Sequence, residues 1–129
     1  MQKAQVILAV LLVGAAALLQ GCVAVVVGAG AAGTVAYIRG DLESIESKDL
    51  NAVYEATLKA MEQLGLSVSR KTKDAMSAEV VARDAEDKKV TISLGATAEG
   101  ATKISIRIGV FGSETKSSLI YDQIKKNLK

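Results

Sequence analysis

Thr102-Lys103-Ile104-Ser105-Ile106-Arg107-Ile108-Gly109-Val110 puts Ile104, Ile106, Ile108 and Val110 on one side of an extended chain, with polar groups between them. Side chains of a strand alternate between its two faces, so this stretch predicts a strand with one face on a core and the other in water. The same period recurs upstream. Leu66 and Val68 begin one strand, Ala78, Val80 and Ala82 mark a second, and Val90, Ile92 and Leu94 a third. The connections are short and polar, at Lys73-Asp74-Ala75, Asp84-Ala85-Glu86-Asp87 and Glu99-Gly100. Strands joined so briefly pair antiparallel, and one apolar face per strand means a sheet covered on one side.

Two segments keep a helical period instead. Leu50, Val53, Tyr54, Leu58, Met61 and Leu64 recur on one face of a helix that Asp49 or Asn51 can cap and that Gly65 can end in a left-handed conformation. After Gly112-Ser113, residues Glu114 to Leu128 form a closing helix with Ile120, Ile124 and Leu128 in line and Lys125, Lys126 and Lys129 near its negative end. Tyr37 to Glu46 is expected as one first strand. The fold class predicted is α+β: an antiparallel sheet of four to five strands with both helices on one face, in the order β-α-β-β-β-β-α.

Before this domain the composition is different. Met1-Gln2-Lys3 carries one positive charge, Ala4 to Leu19 is apolar except for Gln5, and Leu18-Leu19-Gln20-Gly21-Cys22 closes the run on the only cysteine of the chain. A charged start, an apolar stretch and a small residue at a cleavage point make a secretory signal peptide. The run is short for a membrane span, which takes roughly 20 apolar residues. A single cysteine in an exported chain has no internal disulfide partner and is free, intermolecular or modified. Residues 1–21 are therefore expected to be a signal peptide, 22–36 an apolar Gly/Ala-rich tether, and 37–129 the compact domain.

The stretch from Val23 to Ile38 reads VAVVVGAGAAGTVAYI and contains Gly28-Ala29-Gly30-Ala31-Ala32-Gly33, a literal match to G-x-G-x-x-G. A dinucleotide site also needs a full helix and an acidic residue about 20 positions further on. Arg39-Gly40-Asp41 arrives too soon for that helix, so no nucleotide cofactor is expected. Small residues four apart, Gly28 with Ala32 and Ala29 with Gly33, fit close helix packing in lipid or self-association; a plain linker fits them as well.

Leu19, Gln20, Gly21 and Cys22 resemble the bacterial lipobox. Read with Tyr37-Ile38-Arg39-Gly40-Asp41-Leu42-Glu43, Val53 to Ala60, Thr102 to Arg107 and Ile124 to Leu128, they make the chain similar to a family of small bacterial lipoproteins whose domain has no assigned function. The resemblance implies recognition of Leu19, Gln20 and Gly21 by a signal peptidase, cleavage before Cys22, a diacylglyceryl thioether on the Cys22 sulfur and usually acylation of the new amino terminus. Val23 in place of an aspartate implies sorting to the outer membrane, with the domain facing the periplasm. The membrane, through these acyl chains, is the first expected partner, and another envelope protein a second. The family supplies no catalytic residues.

Exclusion narrows the chemistry. The 129 residues contain no histidine, so neither a Ser-His-Asp nor a Cys-His arrangement can form, and the usual zinc and copper ligands are missing. Asp84, Glu86 and Asp87 lack the spacing and glycine of a calcium loop. Ser113-Glu114-Thr115-Lys116 matches S-x-x-K without the motifs that accompany an acylating serine, and Ser113 is expected to cap the last helix. Lys plus Arg is 16 against 14 Asp plus Glu, too balanced for a nucleic-acid footprint. No metal or other cofactor is expected, and no catalytic activity.

One surface remains. If the aliphatic side of each strand faces the helices, the other side presents Ser67, Ser69, Lys71, Glu79, Arg83, Lys89, Thr91, Ser93, Lys103, Ser105 and Arg107. It is either an ordinary solvated sheet face or a docking face for an envelope component or an anionic carbohydrate or lipid headgroup. Arg83, Lys89, Lys103 and Arg107 are its candidate contacts. The expected function is a lipid-anchored, non-catalytic binding or scaffolding domain. The alternatives are a lipid or small-ligand carrier and a histidine-free, carboxylate-dependent enzyme.

Overall fold

The computed structural model describes residues 35–129. The expected signal peptide, the lipobox-like Leu19 to Cys22, and the expected tether up to residue 34 lie outside the described residues. From Val35 onward the chain forms strands β1 (Ala36–Ile38) and β2 (Asp41–Glu46), helix α1 (Leu50–Gln63), strands β3 (Ser67–Lys73), β4 (Ser77–Arg83), β5 (Lys89–Ala96) and β6 (Thr102–Ile108), and helix α2 (Glu114–Asn127). All six strands are antiparallel neighbours in the order β1-β2-β6-β5-β4-β3. Helix α1 carries the chain from β2 to the far edge. A four-strand meander then returns it, so that β6 pairs with β2.

The class is the α+β expected, but the sheet has six strands, and the order is β-β-α-β-β-β-β-α. The extra strand comes from the stretch read as one strand, Tyr37 to Glu46. It folds back at Arg39-Gly40, whose φ angles of 53° and 91° are both positive, so Ile38 faces Asp41 and Ala36 faces Glu43. Two positive φ angles give the turn a twist that matches the flanking strands. Glycine takes that geometry freely; Arg39 takes it at a cost, which is why the turn carries little sequence signal.

The core lies between one sheet face and the helices. Leu42, Val80, Ala82, Val90, Ile92, Leu94, Ile104, Ile106 and Ile108 line the sheet side and are buried. Val110 does not continue that row: β6 ends at Ile108, and Gly109, at φ 66°, turns the chain away.

Helix α1 starts where the Asp49 side chain accepts from the Ala52 N–H at 2.7 Å. It ends with the Leu66 N–H on the Met61 carbonyl and the Gly65 N–H on that of Glu62, a Schellman closure around the left-handed Gly65. Its buried face is rotated from the expected stripe. Leu50, Val53 and Met61 are buried, but so are Ala56, Thr57 and Ala60, whereas Tyr54, Leu58 and Leu64 sit at the core's rim. The small residues let α2 pack alongside, and the Thr57 hydroxyl is satisfied by the Val53 carbonyl at 2.7 Å. Helix α2 buries Ile120 and Ile124 as expected, together with Ser117 and Tyr121.

Strand β3 departs furthest from its prediction. Every residue in it is exposed, and the register shifts between Val68 and Arg70. The bulge reverses which side chains face which way: Arg70 joins the open face opposite Val81, and Lys71 moves to the helix side opposite Val80. A bulged edge strand rich in lysine and arginine resists pairing with another chain.

Candidate interaction surface

The open sheet face is where the predicted contacts fall, and the pairing of β6 with β2 decides their surroundings. Asp41 lies opposite Arg107, and Glu43 is diagonal to Lys103. Arg107 meets the Asp41 carboxylate at 3.1 Å and Lys103 meets Glu43 at 3.5 Å. Arg70 likewise meets Glu79 at 2.6 Å. Two of the four candidate cations thus have carboxylate partners, and the face is a ladder of opposite charges. Such part-exposed pairs contribute about 0–1 kcal/mol each; their larger effect is to neutralise the face toward an anionic ligand.

Arg83 and Lys89 differ. They are directly opposed across β4 and β5, where like charges are unfavourable, and among the described residues Arg83 donates only to the Asp87 carbonyl, at 3.1 Å. Arg107 lies two residues along from Lys89, across Thr91, whereas Lys103 faces Gly95 at the other end of the sheet. The structure therefore gathers Arg83, Lys89 and Arg107 at one end and separates Lys103 from them.

That end contains a loop that the alternation pattern hid. The guanidinium of Arg107 donates to the Arg39 carbonyl at 3.0 Å and to the Val110 carbonyl, besides its carboxylate partner. One side chain thus ties the β1–β2 turn to residues 109–112. Backbone contact reinforces the tie: a Cβ on Gly40 would stand 2.7 Å from the Phe111 carbonyl oxygen, and one on Gly112 2.6 Å from the Tyr37 hydroxyl. On this clamped loop Val110 is 79% and Phe111 92% exposed. Phe111 is the only phenylalanine of the chain, and glycines at 109 and 112 bracket it. Those two facts were the sequence signal for the loop.

Other polar clusters are built into the fold. Lys116 reaches Asp84 at 3.0 Å and Glu86 at 3.2 Å, pinning the β4–β5 turn to the first turn of α2. The Asp84 carboxylate is held below its usual range first by the Lys88 N–H and then by Lys116, whose own pKa rises in turn. Asp74 is lowered in the same way by the N–H groups of Met76 and Ser77 in the β3–β4 turn. Ser113 accepts from the Lys116 N–H as the cap of α2, so the S-x-x-K pair is a helix start joined to an ion pair.

Midway along α2, Ser44 donates to the Tyr121 hydroxyl at 2.7 Å, and that hydroxyl donates to Glu46. Burial, followed by the neighbouring Glu46, pushes Tyr121 up to about 12. A phenol so reluctant to ionise locks α2 to β2 and is a poor general acid. Among the described residues no three or more acidic, cysteine or histidine side chains gather as a metal cage, and no helix is long and apolar enough to cross a membrane.

An apolar cleft of about 250 Å³ opens between Leu64, Leu66, Val90, Ile108, Leu119 and Ile120. Ligand pockets run from about 300 to 1,000 Å³. The space between helices and sheet is filled by side chains such as Met61, Ile92, Ile104 and Ile124, all fully buried. Ala56 and Ala60 mark close helix packing, and Asn127 donates to the Ala56 carbonyl across that contact.

Fold and surface define a small two-layer α+β domain with one sheet face covered by helices and the other laddered with charge pairs. The chain matches the family described as protein of unknown function (DUF3568) over residues 5–127, and it belongs to that family. No curated protein matches it.

Proposed function

We propose that this chain is a lipid-anchored lipoprotein of the bacterial envelope whose domain binds or scaffolds another envelope component without catalysis. The observation that carries the reading is the lipobox-like Leu19-Gln20-Gly21-Cys22 at the end of an apolar run, with Cys22 the only cysteine. A thioether on Cys22 accounts for a cysteine without a partner. Two or more acyl chains hold a protein stably where one is marginal, at about 0.8 kcal/mol per buried methylene. Val23 after the cysteine supports outer-membrane sorting with the domain in the periplasm.

The domain's own features support binding over chemistry. Carboxylates such as Asp41 and Asp84 sit in ion pairs, the buried Tyr121 phenol is held protonated, and the apolar cleft beside α2 is smaller than ligand pockets usually are.

Metabolic labelling with a fatty-acid analogue tests the anchor. Label is expected on the parent chain and absent from Cys22→Ala; incorporation that survives the substitution sinks the reading. Cross-linking in intact cells followed by membrane pull-down tests the scaffold. An envelope protein recovered with the parent and lost with Cys22→Ala supports it, and recovery of none removes it.

A further inference from the structure

The Val110-Phe111 loop has the features of a surface built to meet an apolar phase. Its two side chains are 79% and 92% exposed, yet its backbone is held by Arg107 and by contact with Gly40. Clamping a loop while leaving its apolar side chains in water does nothing for the core. Ile38 and Val35, on the adjoining hairpin, are about half exposed as well.

The patch is too small for a protein partner to rest on. An aromatic side chain buries about 150–250 Å², so with valine beside it the tip offers a few hundred, short of the roughly 800 Å² that each partner gives to a standard specific interface. A bilayer makes no such demand. It accepts isolated apolar side chains at the headgroup boundary and favours basic residues around them. The surroundings fit. Arg39 is exposed in the turn that touches Phe111, and Lys89 accepts the Gly109 N–H at its carbonyl, with Arg83 opposite it. In the adjoining β4–β5 turn, Asp84 and Glu86 are held by Lys116, and Asp87 stands beside Arg83, which donates to its carbonyl.

Chain length permits the contact. Cys22 precedes Ala36 by 14 residues, a reach of at most about 50 Å at 3.3–3.6 Å per residue. The described chain enters at β1, only three residues before the Arg39-Gly40 turn that holds the loop.

We propose that the Val110-Phe111 loop is a membrane-contact tip that seats both side chains in the headgroup boundary of the bilayer carrying the Cys22 acyl chains. The proposal rests on the reading of Cys22 as the lipidated residue. It means that the domain docks on the membrane by one end and presents its open sheet face sideways.

The chain has no tryptophan, so Phe111→Trp places its single indole, excited to the red of the three tyrosines, at the tip. Met76, exposed in the turn at the opposite end of β4, provides the matched control as Met76→Trp. Full-length chains are reconstituted into vesicles of phosphatidylethanolamine and phosphatidylglycerol, with and without bromine-labelled lipid. The expected result is blue-shifted emission, quenched several-fold by bromolipid, for the substitution at 111, and solvent-like, unquenched emission for that at 76. Equal quenching at both positions, or none at 111 in chains that float with the vesicles, overturns the proposal. So does a blue shift at 111 that needs no lipid and grows with protein concentration, which assigns the tip to a second copy. Fatty-acid labelling of the same samples separates the two readings. A labelled, floating chain unquenched at 111 sinks the tip alone, whereas absent label on the parent sinks the anchor whatever happens at 111.

Discussion

Gly112 lies so close to Gly40 that a Cβ on Gly112 would come within 2.6 Å of the Gly40 Cα, and its φ of 82° is one that other residues rarely adopt. Both objections bear on one substitution. Gly112→Ala is expected to cost about 2–4 kcal/mol, part from the left-handed backbone and part from the displaced β1–β2 turn. Gly109 has a φ of 66° but open space around it, so Gly109→Ala should cost about 1–2 kcal/mol. Gly95 has neither constraint, and Gly95→Ala should change stability by about 0.5 kcal/mol or less. Urea midpoints for the three variants check the ranking; equal losses at 112 and 109 would show that the turn contact carries no energy.

Arg107 and Lys103 stand on the same strand with a carboxylate near each, yet they should respond differently to alanine. Lys103 has one part-exposed partner at 3.5 Å, a pair expected to contribute about 0–1 kcal/mol that salt screens away. Arg107 also donates to two carbonyls that belong to different loops. Arg107→Ala is expected to cost about 1.5–3 kcal/mol, and Arg107→Lys to recover little, because a single ammonium cannot hold the fork. Most of that loss should persist in high salt. Denaturation at low and high ionic strength gives the comparison.

These two arginine and lysine contacts also show where the sequence stops being readable. Alternation at Ile104, Ile106 and Ile108 placed β6 and its solvent face correctly, because period two is local. The acids that neutralise that face come from β2, joined to β6 by a pairing some 60 residues apart in sequence, and no local pattern announces it. The bulge after Val68 is equally silent: one extra residue in β3 reversed Lys71 and Lys73 to the helix side, where Lys73 lies over the Tyr54 ring. Helix α1 was legible in its ends, at Asp49, one of the two caps that the sequence offered, and at Gly65. Its buried face was not, since Ala56, Thr57 and Ala60 carry little apolar signal although their small size lets α2 approach.

Tyr121 predicts an alkaline limb. An unfolded tyrosine ionises near 10, whereas in the fold burial and Glu46 raise it to about 12. The raised folded value means that the neutral phenol is favoured by folding. Its contribution is therefore complete below about pH 10 and fades as pH rises toward about 12. Tyr121→Phe should flatten that decline while costing stability at neutral pH, since Glu46 and Ser44 lose their partner. Stability measured across the alkaline range, parent against variant, decides it; parallel curves would contradict the assignment.

Ser117 should behave in the opposite sense to most buried residues. It lies one turn before Tyr121 on the inner face of α2, fully buried, and its hydroxyl has no hydrogen-bond partner among the described residues. A buried hydroxyl that has given up water without replacement costs roughly 1–3 kcal/mol. Alanine removes that oxygen, leaves a gap about one atom in size, and raises helix propensity. Ser117→Ala is therefore expected to be neutral or to stabilise by up to about 1 kcal/mol, in contrast to Thr57→Ala on α1. The Thr57 hydroxyl is bonded to the Val53 carbonyl, and its methyl group fills the core. Thr57→Ala should cost about 1–2 kcal/mol. Thermal midpoints of the two variants should move in opposite directions or differ clearly in size, and a loss at 117 matching that at 57 would mean that the Ser117 hydroxyl does find a partner in solution.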